Sequence, residues 1–254
     1  MRWIVRGLLD LLFPPKCLIC GSLEGVGTSR GRKAANGRPA MEIPSFCERC
    51  TAELVVIHSP ICPSCGLPFV SREGPDHYCQ ECLTEHRFFR KARAFGVYCG
   101  ALMRAIHVYK YGKKAAVAKP LGLLVRDCFN RHWRQGETDL LLAVPLHRKR
   151  LQERGFNQAR LLVSRWAEAQ GLRLEDSILV RRRMTEPQTG LPLERRKGNV
   201  KGVFNVERPE SVKDKRVLIV DDVYTTGATA NECARVLKKA GAEYVDVLTL
   251  AKAL

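Results

Sequence analysis

A chain of 254 residues with 45% apolar content can build one large domain and a small one, which excludes a disordered, low-hydrophobicity protein. Its 43 basic and 26 acidic side chains leave a formal net charge of +17, and residues 101–216 alone hold 26 basic and 12 acidic ones. A field of that size recruits anions, either a pyrophosphate-bearing molecule or nucleic acid, although a merely solvated basic surface has the same composition.

The opening Met1–Phe13 stretch is apolar but broken by Arg6 and Asp10, with no long h-region and no small-residue cleavage site, so no export signal is expected. Trp3, Ile4, Leu8, Leu11 and Leu12 can share one helical face, which predicts a short helix docked on the domain behind it, with a membrane-surface helix as the alternative. No run approaches the roughly 18 to 20 apolar residues that span a bilayer, so no membrane span is expected.

Eight of the eleven cysteines form four Cys-x-x-Cys knuckles: Cys17/Cys20, Cys47/Cys50, Cys62/Cys65 and Cys79/Cys82. A knuckle offers two thiolates from one tight turn, and two knuckles complete a tetrahedral S₄ shell. Four in succession predict two structural zinc ions, since a disulfide framework needs an oxidising compartment and an export signal. Sequential pairing, first knuckle with second and third with fourth, is the simpler topology; interleaved pairing is the alternative. His58, His77 and His86 flank the knuckles but find no vacant ligand position. Residues 21–40, rich in glycine and arginine and without period, predict a loop inside the first ribbon. Cys99, Cys128 and Cys233 stand alone in apolar surroundings and are expected to be buried thiols.

Past Arg93 strand-like and helix-like stretches alternate. Strands are expected at 94–99, 140–144, 177–181, 217–220 and 244–249, and helices at 100–109, 115–132, 157–170 and from the turn at 225–229 to about Gly241. Such alternation means an α/β fold: a mostly parallel sheet with helices on both faces and ligands at the carboxyl ends of the strands. Between those elements lie two basic stretches read as loops. The first, 145–158, carries His147, Arg148, Lys149, Arg150 and Arg154, with Asn157 as a helix cap. The second, from Arg181 to Phe204, holds Arg182, Arg183, Gln188, Arg196 and Asn199; Pro187, Gly190 and Pro192 forbid a continuous helix, and loops of this length are usually lids or binding loops.

Residues 216–229, Arg-Val-Leu-Ile-Val-Asp-Asp-Val-Tyr-Thr-Thr-Gly-Ala-Thr, carry the most specific signal. A buried strand, Val217–Val220, delivers two adjacent carboxylates, Asp221 and Asp222, then a hydroxyl- and glycine-rich turn that opens a helix. Free N–H groups and the helix dipole at such a turn favour phosphate, and ionised carboxylates accept hydrogen bonds from ribose hydroxyls. Mg²⁺ or an aspartyl phosphate is the other reading of an acidic pair at a sheet crevice. No Gly-Lys-Ser/Thr follows, so this is no Walker loop. The segment resembles the phosphoribosyl-pyrophosphate (PRPP) motif of type I phosphoribosyltransferases. That resemblance implies that Asp221 and Asp222, the catalytic pair, hold the ribose, while Tyr224, Thr225, Thr226, Gly227, Ala228 and Thr229 complete the PRPP site. It also implies that His147, Arg148 and Lys149 serve the pyrophosphate with Mg²⁺, and that Arg182, Arg183, Gln188, Arg196 and Asn199 belong to a flexible loop closing over it.

Lys110-Tyr111, Pro145-Leu-His with Arg154-Gly-Phe-Asn-Gln158, Thr185-x-x-Gln188 with Arg196-x-x-Asn199, and the four-knuckle region extend the likeness over nearly the whole chain. Together they resemble the ComF family of competence-associated, double-zinc-ribbon, phosphoribosyltransferase-like proteins. The resemblance implies an N-terminal helix and double zinc ribbon over 1–92, a phosphoribosyltransferase-like domain over 93–254, and a cytoplasmic protein linked to natural transformation. Two functions follow from it: a Mg²⁺-dependent phosphoribosyltransferase whose acceptor is unnamed, or an adaptor handling single-stranded DNA beside other competence proteins, with the PRPP site regulatory or vestigial. Against the adaptor, the basic stretches lack the aromatic ladder on which single strands usually stack.

Overall fold

The computed structural model describes residues 14–23, 26, 43–71, 73–112, 115–183 and 200–254. The expected N-terminal helix, most of the 21–40 stretch, and Gln188, Arg196 and Asn199 lie outside the described residues. The chain forms two compact units: Met1–Val55 with Cys99–Pro120, and Val56–Tyr98 with Leu121–Leu254.

In the first unit, helix α1 (Glu48–Ala52) follows the knuckle residue Cys47. Cys17, Cys47 and Cys50 bury themselves with Val26 and Ala101, and Ile19 and Leu54 pack against them. In the second unit, the short helix α2 (Gln80–Thr84) likewise follows Cys79, and strand β1 (Ala92–Val97) comes next. Helix α3 (Gly100–Tyr111) returns to the first unit with Ala101, Leu102, Ala105, Ile106 and Tyr109 buried, one stripe at helical spacing.

The rest is a parallel sheet. After helix α4 (Ala118–His132) come β2 (Leu140–Ala143), helices α5 (Arg148–Arg154) and α6 (Gln158–Ala169), and β3 (Arg173–Glu175). Then follow β4 (Leu179–Arg181), β5 (Phe204–Val206), β6 (Arg216–Tyr224), helix α7 (Ala228–Lys239) and β7 (Tyr244–Lys252). The sheet order is β1-β7-β6-β2-β3, with every pairing parallel. Strand β6 sits at the centre. Its run Val217–Val220 is buried on both faces, as a central parallel strand requires; each such side chain contributes about 1.5–3 kcal/mol. On one face, Cys233, Ala234 and Leu237 of α7 pack with Leu140, Leu142, Val217, Ile219, Val245 and Val247. The alternate residues Leu141, Leu218 and Leu248 are equally buried and turn to the other face, where α6 meets β2, β3 and β6. Helix α4 lies against α6: Phe129 and Trp166 have ring centroids 5.1 Å apart. A Cβ on Gly122 would come within 2.7 Å of the Leu162 carbonyl oxygen, so the two backbones approach as only glycine permits.

Three expectations change. The 145–158 stretch is not all loop, because Arg148–Arg154 is a helix. It lacks an apolar stripe, but Arg, Lys, Leu, Gln and Glu all favour helix, His147 caps its start and Gly155 ends it with left-handed φ 77°. The strand near 177–181 does not join the parallel sheet. It forms a separate antiparallel pair with β5, Leu179 opposite Val206 and Arg181 opposite Phe204, and sets Leu179, Val203 and Phe204 into the α7-side core. The edge strand β3 instead comes from Arg173–Glu175, pairing with β2.

At the amino ends of the strands, the Arg216 guanidinium grips Asp139 through Nη2 at 2.6 Å and Nε at 2.8 Å. This ion pair holds the Asp139 carboxyl down at about 2.

Candidate functional site

At the opposite edge, β6 runs through the acidic pair to Tyr224 before the chain turns. Asp221 is half-buried and Asp222 buried, and the Asp222 N–H donates to Asp221 Oδ1 at 2.8 Å. The turn Thr225–Gly227 then delivers the amino end of α7. Gly227 is its cap residue with φ 76°, a left-handed conformation that favours glycine. The Ala228 N–H donates to Thr226 Oγ1 at 3.3 Å, and the Asn231 N–H to the Gly227 carbonyl at 2.8 Å. Thr225, Thr226 and Thr229 stay partly exposed around the turn. An α-helix of twelve residues thus presents its amino end beside two carboxylates, where N–H groups and dipole favour an anion.

Strand β2 leaves the sheet at the same place. Ala143 pairs with Val220, and the Val144 N–H donates to the Val220 carbonyl at 2.8 Å. The His147–Lys149 segment therefore starts from the strand next to the acidic pair. His147 Nδ1 accepts the Lys149 N–H at 3.3 Å, while the Arg148 and Lys149 side chains are exposed. Asn157 caps α6 by accepting the Arg160 N–H and ties that cap back to β2 by donating Nδ2–H to the Val144 carbonyl at 3.1 Å.

The hairpin β4–β5 is fixed to α7, because Glu232 Oε1 accepts the Gly202 N–H at 2.7 Å while also pairing with Arg235. Arg182 meets Glu207 at 3.1 Å, and Arg183 donates to the Lys201 carbonyl at 2.7 Å. Both belong to the hairpin stem that brackets residues 184–199. Arg181, one residue earlier, is half-buried over the Phe204 ring at 5.5 Å. Burial and the nearby Arg150 charge lower its guanidinium, opposed by Cys233 and Asp221. Its charge thus lies within the field of Asp221. The expected loop begins at Arg181, but this residue was not among those assigned to the site because it also closes the expected strand.

Tyr224 lies under the turn. It is buried, and its Oη has no hydrogen-bond partner among the described residues. A Cβ placed on Gly227 would come 2.1 Å from that oxygen, so the loop backbone rests directly on the phenol. Burial pushes the phenol well above its ordinary value and keeps it protonated. Lys252 Nζ sits 3.8 Å from the Tyr224 ring centroid and donates to the Cys65 carbonyl at 3.1 Å. Lys252 was not foreseen; the available signal was a single cation closing the run Val247–Ala251, apolar but for Thr249.

The cysteines gather sequentially. Cys17, Cys20, Cys47 and Cys50 form one tetrad, and Cys62, Cys65, Cys79 and Cys82 the other, with the sulfurs of each within 4.8 Å of one another. Cys20 and Cys47 are 3.6 Å apart, as are Cys65 and Cys79. These distances suit a tetrahedral S₄ shell with Zn–S near 2.3 Å, whose sulfurs stand about 3.8 Å apart. Burial raises the Cys17 and Cys62 thiols, but backbone N–H groups of their own and partner knuckles outweigh it and bring each to about 7. Cys50 and Cys65 are pushed up by burial and by neighbouring sulfurs. A dication removes that mutual conflict, so the donor set fits zinc. All eleven cysteines are free of disulfides.

Residues 172–254 match the family model of the phosphoribosyl transferase domain, and residues 34–83 that of the double zinc ribbon domain. The chain is 31% identical over 234 residues to DNA utilization protein YhgH of Shigella flexneri, covering 84% of this chain and 100% of that protein. It is 30% identical over 225 residues to competence protein F of Haemophilus influenzae, covering 82% and 96%. With competence protein ComFC of Bacillus subtilis the identity is 25% over 214 residues, covering 80% and 82%.

Proposed function

Since this chain belongs to the ComF family, with its phosphoribosyltransferase fold and two zinc ribbon sites, we propose that it binds PRPP with Mg²⁺ at the β6–α7 turn as a phosphoribosyltransferase. The observation that carries this reading is the turn itself. One short stretch joins two carboxylates, a left-handed glycine and the amino end of a twelve-residue helix. Asp221 and Asp222 accept the ribose hydroxyls. Thr225, Thr226, Gly227, Ala228 and Thr229 surround the 5-phosphate, with Tyr224 beneath. His147, Arg148 and Lys149 face the pyrophosphate. Mg²⁺, when bound there, would supply positive charge for the leaving pyrophosphate beside Arg148 and Lys149. As the bond from the anomeric carbon breaks, the ribose becomes oxocarbenium-like, so the protein's work is to hold the sugar, balance charge and exclude water. Arg182 and Arg183 of the hairpin stem, with Gln188, Arg196 and Asn199 of the stretch between its strands, would serve to exclude it. The division at residue 92/93 is proposed as one of function, metal binding before it and anion binding after it.

The names of the relatives, DNA utilization protein and competence protein, favour a second role in the use of DNA; we propose with it a cytoplasmic protein that meets single strands and other competence proteins. Among the described residues no helix is long and apolar enough to cross a membrane. Calorimetric titration of the zinc-loaded protein with PRPP and Mg²⁺ tests the first role. Measurable affinity is expected, and none at millimolar ligand would replace it with the DNA adaptor, for which salt-dependent binding of single strands by the same preparation is the signature.

A further inference from the structure

The geometry points to Tyr224 and Lys252 as positioning residues of the phosphate loop, tied through Cys65 to the second cysteine tetrad, so that metal there and anion at Gly227 strengthen each other's binding. The inference rests on the proposed PRPP site.

The loop has a floor, Tyr224 of β6, and that floor is held by Phe89 and by Lys252 of β7, which donates to Cys65 of the second tetrad. Gly227 sits so close to the Tyr224 phenol that no Cβ fits between them. The Tyr224 ring cannot settle on its own. Lys252 Nζ lies against one side of it at 3.8 Å, and Phe89 meets it edge-on with centroids 6.4 Å apart. Lys252 is only 4% exposed, and a buried ammonium is costly unless it is paired. Its partners are the Tyr224 ring and the Cys65 carbonyl, 3.1 Å away. The Cys65 backbone is in turn set by the ligand knuckle that carries its sulfur. A second tie reaches the loop from the other side. The Phe88 N–H donates to Asn231 Oδ1 at 2.7 Å, and the Asn231 N–H holds the Gly227 carbonyl at 2.8 Å. Phe88 and Phe89 follow closely on Cys82. Cys62, Cys65, Cys79, Phe89, Tyr224 and Ala230 share one core cluster. A tetrad that loses its metal therefore loosens both supports, and an ordered loop holds the tetrad closed. Linkage requires the two affinities to change by the same factor.

The test uses the full chain with both zinc ions bound. Lys252→Met keeps the length of the side chain and removes its charge; Asn231→Ala cuts the other tie and decides the matter if the first variant fails to fold. Lys252→Met is expected to weaken PRPP–Mg²⁺ binding about tenfold, as loss of a charge-assisted hydrogen bond does, and Asn231→Ala, which cuts a neutral bond, about three- to tenfold, while two zincs per chain remain. Saturating PRPP should also slow removal of zinc by a zinc-selective chelator in one of two kinetic phases, and Lys252→Met should abolish that protection. A merely structural lysine would leave this ligand-dependent protection in place. Wild-type affinity in folded Lys252→Met, or PRPP that slows neither phase or both equally, overturns the coupling while PRPP binding stands. A flat titration of the wild-type protein instead removes the PRPP site, and the coupling with it.

Discussion

The two cysteine tetrads share a ligand set and a pair of knuckles, yet they do different physical work. The first has Cys20 exposed, keeps a small core of its own with Val26 and Ala101, and is rimmed by Glu48, Arg49, Glu53 and Arg104. Cys62, Cys65 and Cys79 of the second lie in the same core as the central strands. One site gathers a small cluster of its own; the other shares its core with the central strands and with Tyr224 and Ala230 at the turn after β6. Ligand spacing is blind to this difference, because it records which sulfurs meet and not what else their backbone supports.

The sharpest way to break the contrast is to remove one ligand from each tetrad. Cys65→Ser should abolish cooperative unfolding of the sheet and with it PRPP binding, because structural zinc is worth on the order of 10 kcal/mol of folding free energy. Cys17→Ser should cost zinc at the first site and leave the titration nearly unchanged. Equal damage from both, read by near-ultraviolet dichroism and calorimetry, would erase the distinction. A smaller effect is expected at the loop itself. Asp221→Asn with Asp222→Asn, or Thr226→Val, should weaken PRPP at least about tenfold by removing hydrogen bonds to charged groups, with two zincs retained by elemental analysis. Next comes the rate of metal loss. The exposed Cys20 should let a chelator take the first zinc several-fold sooner than the second, and simultaneous release would show that burial does not control access.

The smallest effect belongs to the far end of the sheet. Arg216 lowers the folded-state carboxyl of Asp139 to about 2. Its contribution is therefore full above an unfolded value near 3.9 and fades as pH falls toward the folded one. Asp139→Asn should lower the melting temperature by at most about 4 °C at neutral pH, less as the pH approaches about 2, with PRPP affinity untouched at pH 7.

What the chain discloses in advance is chemistry with fixed residue types at fixed intervals. The knuckles and the Asp221–Thr229 turn were legible for that reason, as was β6, whose four buried residues leave no alternative to a central strand. Helix α5 was hidden because its seven residues carry charge instead of an apolar stripe. Strand β3 was hidden because three residues are too few to show a period, and the β4–β5 pair because an apolar run does not say which sheet it joins. Lys252 and Asn231 were out of reach for another reason: their partners lie 187 and 143 residues away.

The sheet order also sets a timetable for synthesis. Among the described residues strand β1 joins the sheet through β7, with Ala92 opposite Val247, so about 150 further residues must emerge before that edge can zip. At translation rates of about 5–20 residues per second, the wait is roughly 8 to 30 s. Throughout it, the four thiols of the second tetrad have already left the ribosome, while Lys252 and the strand that carries it do not yet exist. Metal capture thus comes first and sheet closure last, and in a nascent chain short of zinc the final strand still pairs with β6 but brings Lys252 to a Cys65 carbonyl that no ligand shell has set.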